Sequence, residues 1–268
     1  MYFPPSVDEP SRGLNVTRYK SLSYAVDPLF ESTADTNNRV RIFYLHGNNG
    51  DIFNTYDMRM HFLNNLNANL PKGLQGLCDI QLITVDYPTF GLSAKEPRML
   101  GTRKLDGQIL ELFQDLKTDT AGLNIVWSYS VGTRYASQLL VNDFPQSVDF
   151  AYMQAPYYSI PQSCTHLFSG FCTGPEGEGV SVIQEPMNIL FHLAESDEIF
   201  PPSVSMDLLK NRTCKGYIMQ KGVMHNWFNT LQSAEIAATI IGKEIGDLFF
   251  KKMKNHEKEE DQQDSPSE

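Results

Sequence analysis

The sequence predicts an α/β protein built on a mostly parallel central sheet with helices on both faces. Short apolar runs alternate with segments whose apolar residues recur at helical spacing, which is typical of strands joined by crossover helices. A chain of 268 residues fits one such domain with a single large core. The predicted strands lie at 40–45, 80–85, 123–127, 149–153, 187–193 and around 217–219.

The helices are predicted from segments that carry one apolar face. In the second of them, for example, Ile109, Leu112 and Phe113 fall on the same side of the helix. The predicted helices cover 51–66, 105–116, a segment that begins directly after residue 130, and about 233–251.

The remaining segments mark the limits of the domain. Residues 1–15 are polar and rich in Pro, which predicts an irregular arm, and residues 16–254 are predicted to form the folded domain. Within it, residues 157–185 are rich in Gly, Pro and aromatic residues, which makes them a candidate lid too short for a large helical cap. Residues 255–268 are polar and low in hydrophobic residues, so we expect a disordered acidic tail.

Composition and charge exclude some classes of partner. A net charge of −10 repels phosphate backbones, so we expect no nucleic-acid partner. No apolar run approaches the ~20 residues that span a bilayer, and residues 1–10 lack the regions of a secretory signal, which predicts a cytoplasmic protein without a transmembrane segment. Four widely spaced cysteines fit free thiols in a reducing compartment. The Glu-rich tail has a second interpretation, as the translocation signal of a secreted bacterial effector that acts in a host cell.

A candidate nucleophile lies where the strand at 123–127 meets the following helix. Ser130 occupies the sharp turn, with small residues, Ser128 and Gly132, two positions before and after it. Such a turn holds a serine hydroxyl at the carboxyl edge of the sheet, within reach of a base. The usual pattern has Gly at the position of Ser128, and a serine at this place can instead be a helix N-cap.

A Gly/Asn-rich turn follows the strand at 40–45 and can direct backbone N–H groups into a pocket. The N–H of Asn48 and that of Val131, directly after the serine, would together form an oxyanion hole. His46 lies in the same turn, upstream of the serine, and is interpreted as structural.

His225 is the best candidate base among six histidines, because it lies in a loop between the last strand and the closing helix. His192 lies inside an apolar strand and is interpreted as a core residue. Asp197 directly follows the strand at 187–193, and the chain order Ser, Asp, His is that of α/β-hydrolases. Glu195 and Glu198 compete with Asp197 for the role of the acid.

These motifs together resemble the α/β-hydrolase superfamily, and most closely its cap-poor group of protein depalmitoylases and related acyl hydrolases. The resemblance spans about 38–250 and implies the α/β-hydrolase fold with a short lid. The departures are Ser128 in place of glycine and Ala194 where glycine is common before the acid. The motifs that carry the resemblance are His46-Gly47-Asn48, residues 86–93, the serine turn, Asp197 with Pro201, and His225-Asn226.

The predicted activity is hydrolysis of acyl esters or thioesters through a Ser130–His225–Asp197 triad, with no metal or organic cofactor. A lipidated protein is one candidate substrate. Aromatic residues expected near the serine suit an acyl chain but also suit a core. Two alternatives stay open: an inert relative that binds a ligand or partner, and an acyltransferase or peptidase with the same triad. The candidate pocket residues are Tyr87, Phe90, Tyr157, Phe200 and Trp227.

Overall fold

Within the described residues, the sheet of the computed structural model contains eight strands in the order β1-β2-β4-β3-β5-β6-β7-β8. The strands are β1 (Val16–Tyr19), β2 (Leu22–Pro28), β3 (Arg39–Leu45), β4 (Asp79–Asp86), β5 (Leu123–Tyr129), β6 (Phe150–Gln154), β7 (Met187–Ala194) and β8 (Cys214–Gln220). The structure describes residues 14–29, 38–48, 50–87, 90–93, 103–119, 121–143, 147–157, 180, 183, 187–203, 206 and 214–263.

Six neighbouring strands, from β4 to β8 in the sheet order, run parallel, whereas β2 is antiparallel to both β1 and β4. The prediction of a mostly parallel sheet with helices is therefore confirmed. The sequence predicts all six parallel strands but not β1 and β2. Strand β1 has only four residues, of which the middle two are polar, and Ser23 and Asp27 limit the apolar run of β2 to three residues, so neither forms a long apolar run.

Helices cover the sheet on both faces. Helices α2 (Arg103–Leu116) and α3 (Gly132–Asp143) pack on one face, where Val126 of β5 points. Helices α1 (Tyr56–Asn69) and α4 (Leu231–Gln263) pack on the other face, where Ile125 and Trp127 of the same strand point. Successive side chains of a strand point to opposite faces, so one apolar strand contributes to both cores.

The first helix begins five residues later than predicted. Asp51, the predicted first residue, caps a turn instead, because one oxygen of its carboxylate accepts the N–H groups of Phe53 and Asn54. A short polar side chain that binds the backbone two or three residues ahead favours a turn over continued helix. The helix then starts at Tyr56.

The closing helix is longer than predicted and extends into the range 255–268, for which disorder was expected. Its backbone stays helical through Gln263, and residues 264–268 lie outside the described part. Between Lys251 and Gln263 the chain is polar but contains no Gly or Pro, and most of its residues are the straight-chain Lys, Glu and Gln, which have high helix propensity. Low hydrophobicity was therefore a poor guide to backbone order here.

Most of the candidate lid, as well as residues 1–13 and two of the four cysteines, lies outside the described residues. Within the lid range, Val180 donates its N–H to the carbonyl of Tyr157 and packs with Ile183 into the core. Cys78 and Cys214 are free thiols.

Within the described residues, no helix has the length and apolar character needed to cross a bilayer.

Candidate active site

Three loops at the carboxyl edge of the sheet bring together the side chains that were predicted to form the site. Ser130 follows β5, Asp197 follows β7 and His225 follows β8. Because these strands are parallel and close to one another in the sheet, their carboxyl ends meet at one edge. All three side chains are nearly buried, with Ser130 5%, Asp197 6% and His225 3% exposed.

Ser130 lies in a strained turn that is held from both sides. Its φ is +52°, in the left-handed region that residues other than glycine rarely adopt. Its N–H donates to the carbonyl of Gln154 on the neighbouring strand (3.0 Å), and its own carbonyl accepts a bond from the Thr133 hydroxyl (2.6 Å). The turn therefore keeps the serine side chain at the strand end, as a nucleophile requires.

His225 joins the serine to the acid. Its Nε2 lies 2.9 Å from the hydroxyl oxygen of Ser130, and its Nδ1 lies 2.9 Å from Oδ2 and 3.0 Å from Oδ1 of Asp197. A carboxylate only accepts, so Nδ1 carries the proton and Nε2 is left to accept the serine hydroxyl. In this tautomer the imidazole can take the serine proton.

The three neighbouring acids after β7 have different partners. Only Asp197 faces the imidazole, and its Oδ1 also accepts the N–H groups of Ile199 (2.9 Å) and Phe200 (2.7 Å), which fixes the carboxylate. Glu198 accepts the backbone N–H of His225 at 3.1 Å, and Glu195 that of Gly222 at 3.0 Å. The geometry thus favours Asp197 over both of its competitors as the partner of the ring.

The turn after β3 lies beside the serine. A β-carbon on Gly47 would come within 3.4 Å of the Ser130 β-carbon and 2.5 Å of the Tyr129 ring. Asn48 is the next residue in this turn, and Val131 directly precedes helix α3. The first N–H groups of a helix lack intrahelical partners, so Val131 is well placed as a donor.

His46 is a buried structural residue, as predicted. Its Nδ1 donates to the carbonyl of Gly47 at 2.8 Å, and burial lowers its pKa to about 4, so the ring is neutral near pH 7. The hydroxyl of Tyr87 donates to the His46 carbonyl at 2.8 Å. These bonds hold the turn that carries Asn48.

Asp86 ties this turn to the loop after β4, which the sequence analysis did not anticipate. Its Oδ1 accepts the N–H of Ile52 (2.8 Å) and its Oδ2 that of Leu92 (3.0 Å), while the residue is completely buried. Burial raises the pKa of Asp86 to about 7 despite these two bonds. An acidic residue at the end of the buried strand β4 was the available signal in the sequence. Asp86 enters the sequence analysis only within the motif at 86–93 and is given no role of its own there.

The five candidate pocket residues separate into two groups. Tyr87 and Phe90 are completely buried in the core, so their prediction as pocket residues is corrected. Both rings pack against His46 and thereby support the turn after β3. Phe200 packs edge-on against His225, with ring centroids 5.0 Å apart, and Tyr157 packs edge-on against Phe200 at 5.4 Å. Trp227 lies two residues after His225 and contacts Phe228.

His192 is not part of the triad, and no metal site adjoins it among the described residues. His192 is completely buried and bonds the Tyr152 hydroxyl, as expected of a core histidine, and burial lowers its pKa to about 4. Among the described residues, no group of three His, Cys, Asp or Glu side chains is arranged to hold a metal ion.

Comparison with known proteins identifies the fold. By sequence, the chain matches no protein-family model and no curated protein. By structure, it is similar to α/β hydrolase domain-containing protein 10 from mouse, with a TM-score of 0.61 and 14% identity over 88% of this chain and 99% of that one. The chain therefore has the α/β-hydrolase fold that its motifs predicted.

Two further solved structures show the same likeness. XC6422 from Xanthomonas campestris, an α/β serine hydrolase without a lid, gives a TM-score of 0.55 and 16% identity over 86% of this chain and 93% of that one. Est1E from Butyrivibrio proteoclasticus, solved with ferulic acid bound, gives a TM-score of 0.60 and 14% identity over 86% and 98%. Membership of the depalmitoylase-like group stays a prediction.

Proposed function

We propose that this protein is a serine hydrolase that cleaves acyl esters or thioesters. Ser130 is the nucleophile, His225 the general base and Asp197 the acid that orients it. One observation carries the proposal: a single imidazole lies 2.9 Å from the serine hydroxyl through Nε2 and 2.9 Å from a carboxylate through Nδ1. This arrangement activates an otherwise weak hydroxyl nucleophile.

In the acylation step, the Ser130 oxygen attacks the acyl carbonyl carbon while its proton passes to Nε2 of His225. Asp197 stabilises the imidazolium that results. The N–H groups of Asn48 and Val131 stabilise the tetrahedral oxyanion. His225 then returns the proton to the leaving alcohol or thiol, which departs as the acyl-enzyme forms.

In the deacylation step, His225 takes a proton from water, whose oxygen attacks the acyl-enzyme carbonyl. The collapse of the second tetrahedral intermediate releases the acid and returns the proton to Ser130. The low exposure of the three side chains supports this chemistry, because charge interactions are stronger where water is excluded.

The aromatic side chains beside the base favour an apolar acyl group. Phe200 contacts the His225 ring and Tyr157 contacts Phe200, so an apolar wall adjoins the proposed nucleophile. One structural neighbour, Est1E, holds ferulic acid, an aromatic carboxylic acid. A lipidated protein would present a suitable thioester and is one substrate to test.

A fluorophosphonate probe tests the nucleophile. The probe should label the protein once, and Ser130→Ala should abolish labelling, whereas the matched control Ser128→Ala should largely keep it. Loss of a triad member typically costs about 10⁴-fold or more in turnover, so the difference is large. Labelling that persists in Ser130→Ala would refute the assignment, and an unreactive wild-type protein would favour the inert binding relative.

A panel of substrates tests the reaction class. p-Nitrophenyl esters and acyl thioesters of increasing chain length, together with an S-palmitoylated peptide and unmodified peptides, should be assayed with Ser130→Ala as the blank. We expect turnover of esters or thioesters. Turnover of the unmodified peptides alone would identify a peptidase instead.

A further inference from the structure

His225 begins a short 3₁₀ helix (His225–Asn229) after an exposed loop, so regular structure alone does not fix its position. The preceding residue, Met224, is 57% exposed and extended, and Lys221 and Gly222 are also exposed. A base on such a loop needs other anchors if its ring is to stay at bonding distance from Ser130.

Two side chains anchor the backbone of His225 itself. A carboxylate oxygen of Glu198 accepts its N–H at 3.1 Å, and the hydroxyl of Tyr129 donates to its carbonyl at 3.2 Å. We propose that Tyr129 and Glu198 form a backbone clamp that positions His225 for proton transfer, an inference that rests on the proposed function. They are positioning residues, because both bond the backbone of His225 and neither exchanges a proton with Ser130.

Tyr129 is suited to this role because it directly precedes Ser130 and is itself held firmly. It ends strand β5, is 2% exposed and packs its ring against the His225 imidazole at a centroid distance of 5.3 Å. Gly47 also packs against this ring, because a β-carbon on the glycine would come within 2.5 and 2.6 Å of two ring atoms. Through Tyr129, the strand that precedes Ser130 therefore also fixes the position of the His225 backbone relative to the serine.

Glu198 accepts the N–H of His225, whereas Tyr129 donates to its carbonyl, and Glu198 directly follows Asp197 in the chain. The two consecutive acids hold the same histidine at two places, Asp197 at the ring and Glu198 at the backbone N–H. The bonds from Ile199 and Phe200 to Asp197 stiffen this turn. Fixing both the backbone and the ring restricts the imidazole to one orientation, which general-base catalysis requires.

The kinetic test compares Glu198→Ala and Tyr129→Phe with matched controls on a small ester. Glu195→Ala removes the same kind of bond from the same loop but at Gly222, and Tyr217→Phe makes the same change at an exposed tyrosine on β8. We expect kcat per folded molecule to fall about 3- to 30-fold in each clamp variant, with KM unchanged. Glu198→Gln, which keeps an acceptor oxygen, should recover most of the loss.

Amide hydrogen exchange tests the clamp without relying on activity. In Glu198→Ala the His225 amide should exchange about tenfold faster while the Gly222 amide keeps its rate, and in Glu195→Ala the pattern should reverse. Exchange and kcat that stay at wild-type values in both clamp variants would overturn the clamp. If the wild type fails to react with fluorophosphonate but the exchange pattern appears, the proposed function is wrong and the clamp stands.

Discussion

Gly132 lies so close to Leu45 that a β-carbon on the glycine would come within 2.1 Å of the Leu45 carbonyl oxygen. The contact seats the first turn of α3 against the end of β3. It thereby brings Val131, one of the two proposed oxyanion donors, to the same edge as the turn that carries the other, Asn48. The small residue two positions after the serine is thus required by packing between two elements.

Replacing Gly132 by alanine should therefore displace the serine turn. We expect the free energy of unfolding to fall by about 1–3 kcal/mol, because the clash is with backbone that has little room to move. The loss should appear in urea denaturation, together with slower fluorophosphonate labelling. Gly107→Ala on α2 is the control: nothing lies within 4 Å of its β-carbon position, and alanine favours a helix. Equal effects at the two glycines would contradict the packing argument.

Asp197→Asn should reduce turnover while the protein stays folded. An asparagine amide group can donate to Nδ1, which would move the ring proton to Nε2 and leave no acceptor for the Ser130 hydroxyl. Because the wrong tautomer cannot act as the base, we expect kcat to fall about 10³- to 10⁴-fold. Glu195→Gln makes the same chemical change two residues away and should keep kcat within about twofold. A mild effect of Asp197→Asn on ester turnover would argue against its role.

The sequence predicts the parts of this site that depend on strand order, and misses those that depend on side-chain direction. Ser130, Asp197 and His225 each follow a strand that the sequence predicts, so a parallel sheet brings them to one edge whatever the details of packing. The partners of Glu195 and Glu198 could not be predicted, because three acids within four residues are equivalent until the loop conformation is known. Tyr129 was likewise unrecognised, since the residue before the serine has no fixed role in the pattern.

The sequence also could not show which of the candidate aromatic side chains are buried in the core. Tyr87 and Phe90 follow β4, where residues at the carboxyl edge can face either a pocket or the core. Their rings pack against His46, and Tyr87 also stacks on Tyr135. Both rings point into the core because of the conformation of the loop after β4, which the hydrogen bonds of Asp86 fix.

Asp86 should make stability depend on pH. Burial raises its pKa from 3.8 to about 7, so between these values the folded protein holds a proton that the unfolded chain has released. The stability contributed by Asp86 is therefore full below about pH 4 and is lost as pH rises through about 7. The loss is on the order of 4 kcal/mol in total.

Urea denaturation of the wild type and Asp86→Asn across pH 4–8 measures this effect. The unfolding free energy of the wild type minus that of the variant should decrease as pH rises from about 4 to about 7. Taking the difference removes the opposite trend from His46 and His192, whose buried neutral rings are present in both proteins. A difference that stays constant, or increases with pH, would show that Asp86 is ionised in the fold throughout this range.

Near the end of helix α4, the side chain of Lys252 contacts the body of the domain. Lys252 donates to the carbonyl of Gly122 at 2.6 Å and lies 3.5 Å from Asp149. Truncation after Lys254 keeps these contacts and should leave the melting temperature and ester turnover unchanged. Truncation after Lys251 removes them and should lower the melting temperature by about 2–4 °C. Loss of turnover in the longer truncated protein would place the tail in the site.

The spacing of Ser130 and His225, 95 residues apart in the chain, has a consequence for biosynthesis. The nucleophile and its strand leave the ribosome long before β8 and the base, and a serine without its base is a weak nucleophile. An incomplete or misassembled chain therefore carries an unreactive hydroxyl. On the proposed mechanism, Ser130 gains its base only when the carboxyl-terminal half of the sheet has formed, so the triad is completed late in synthesis.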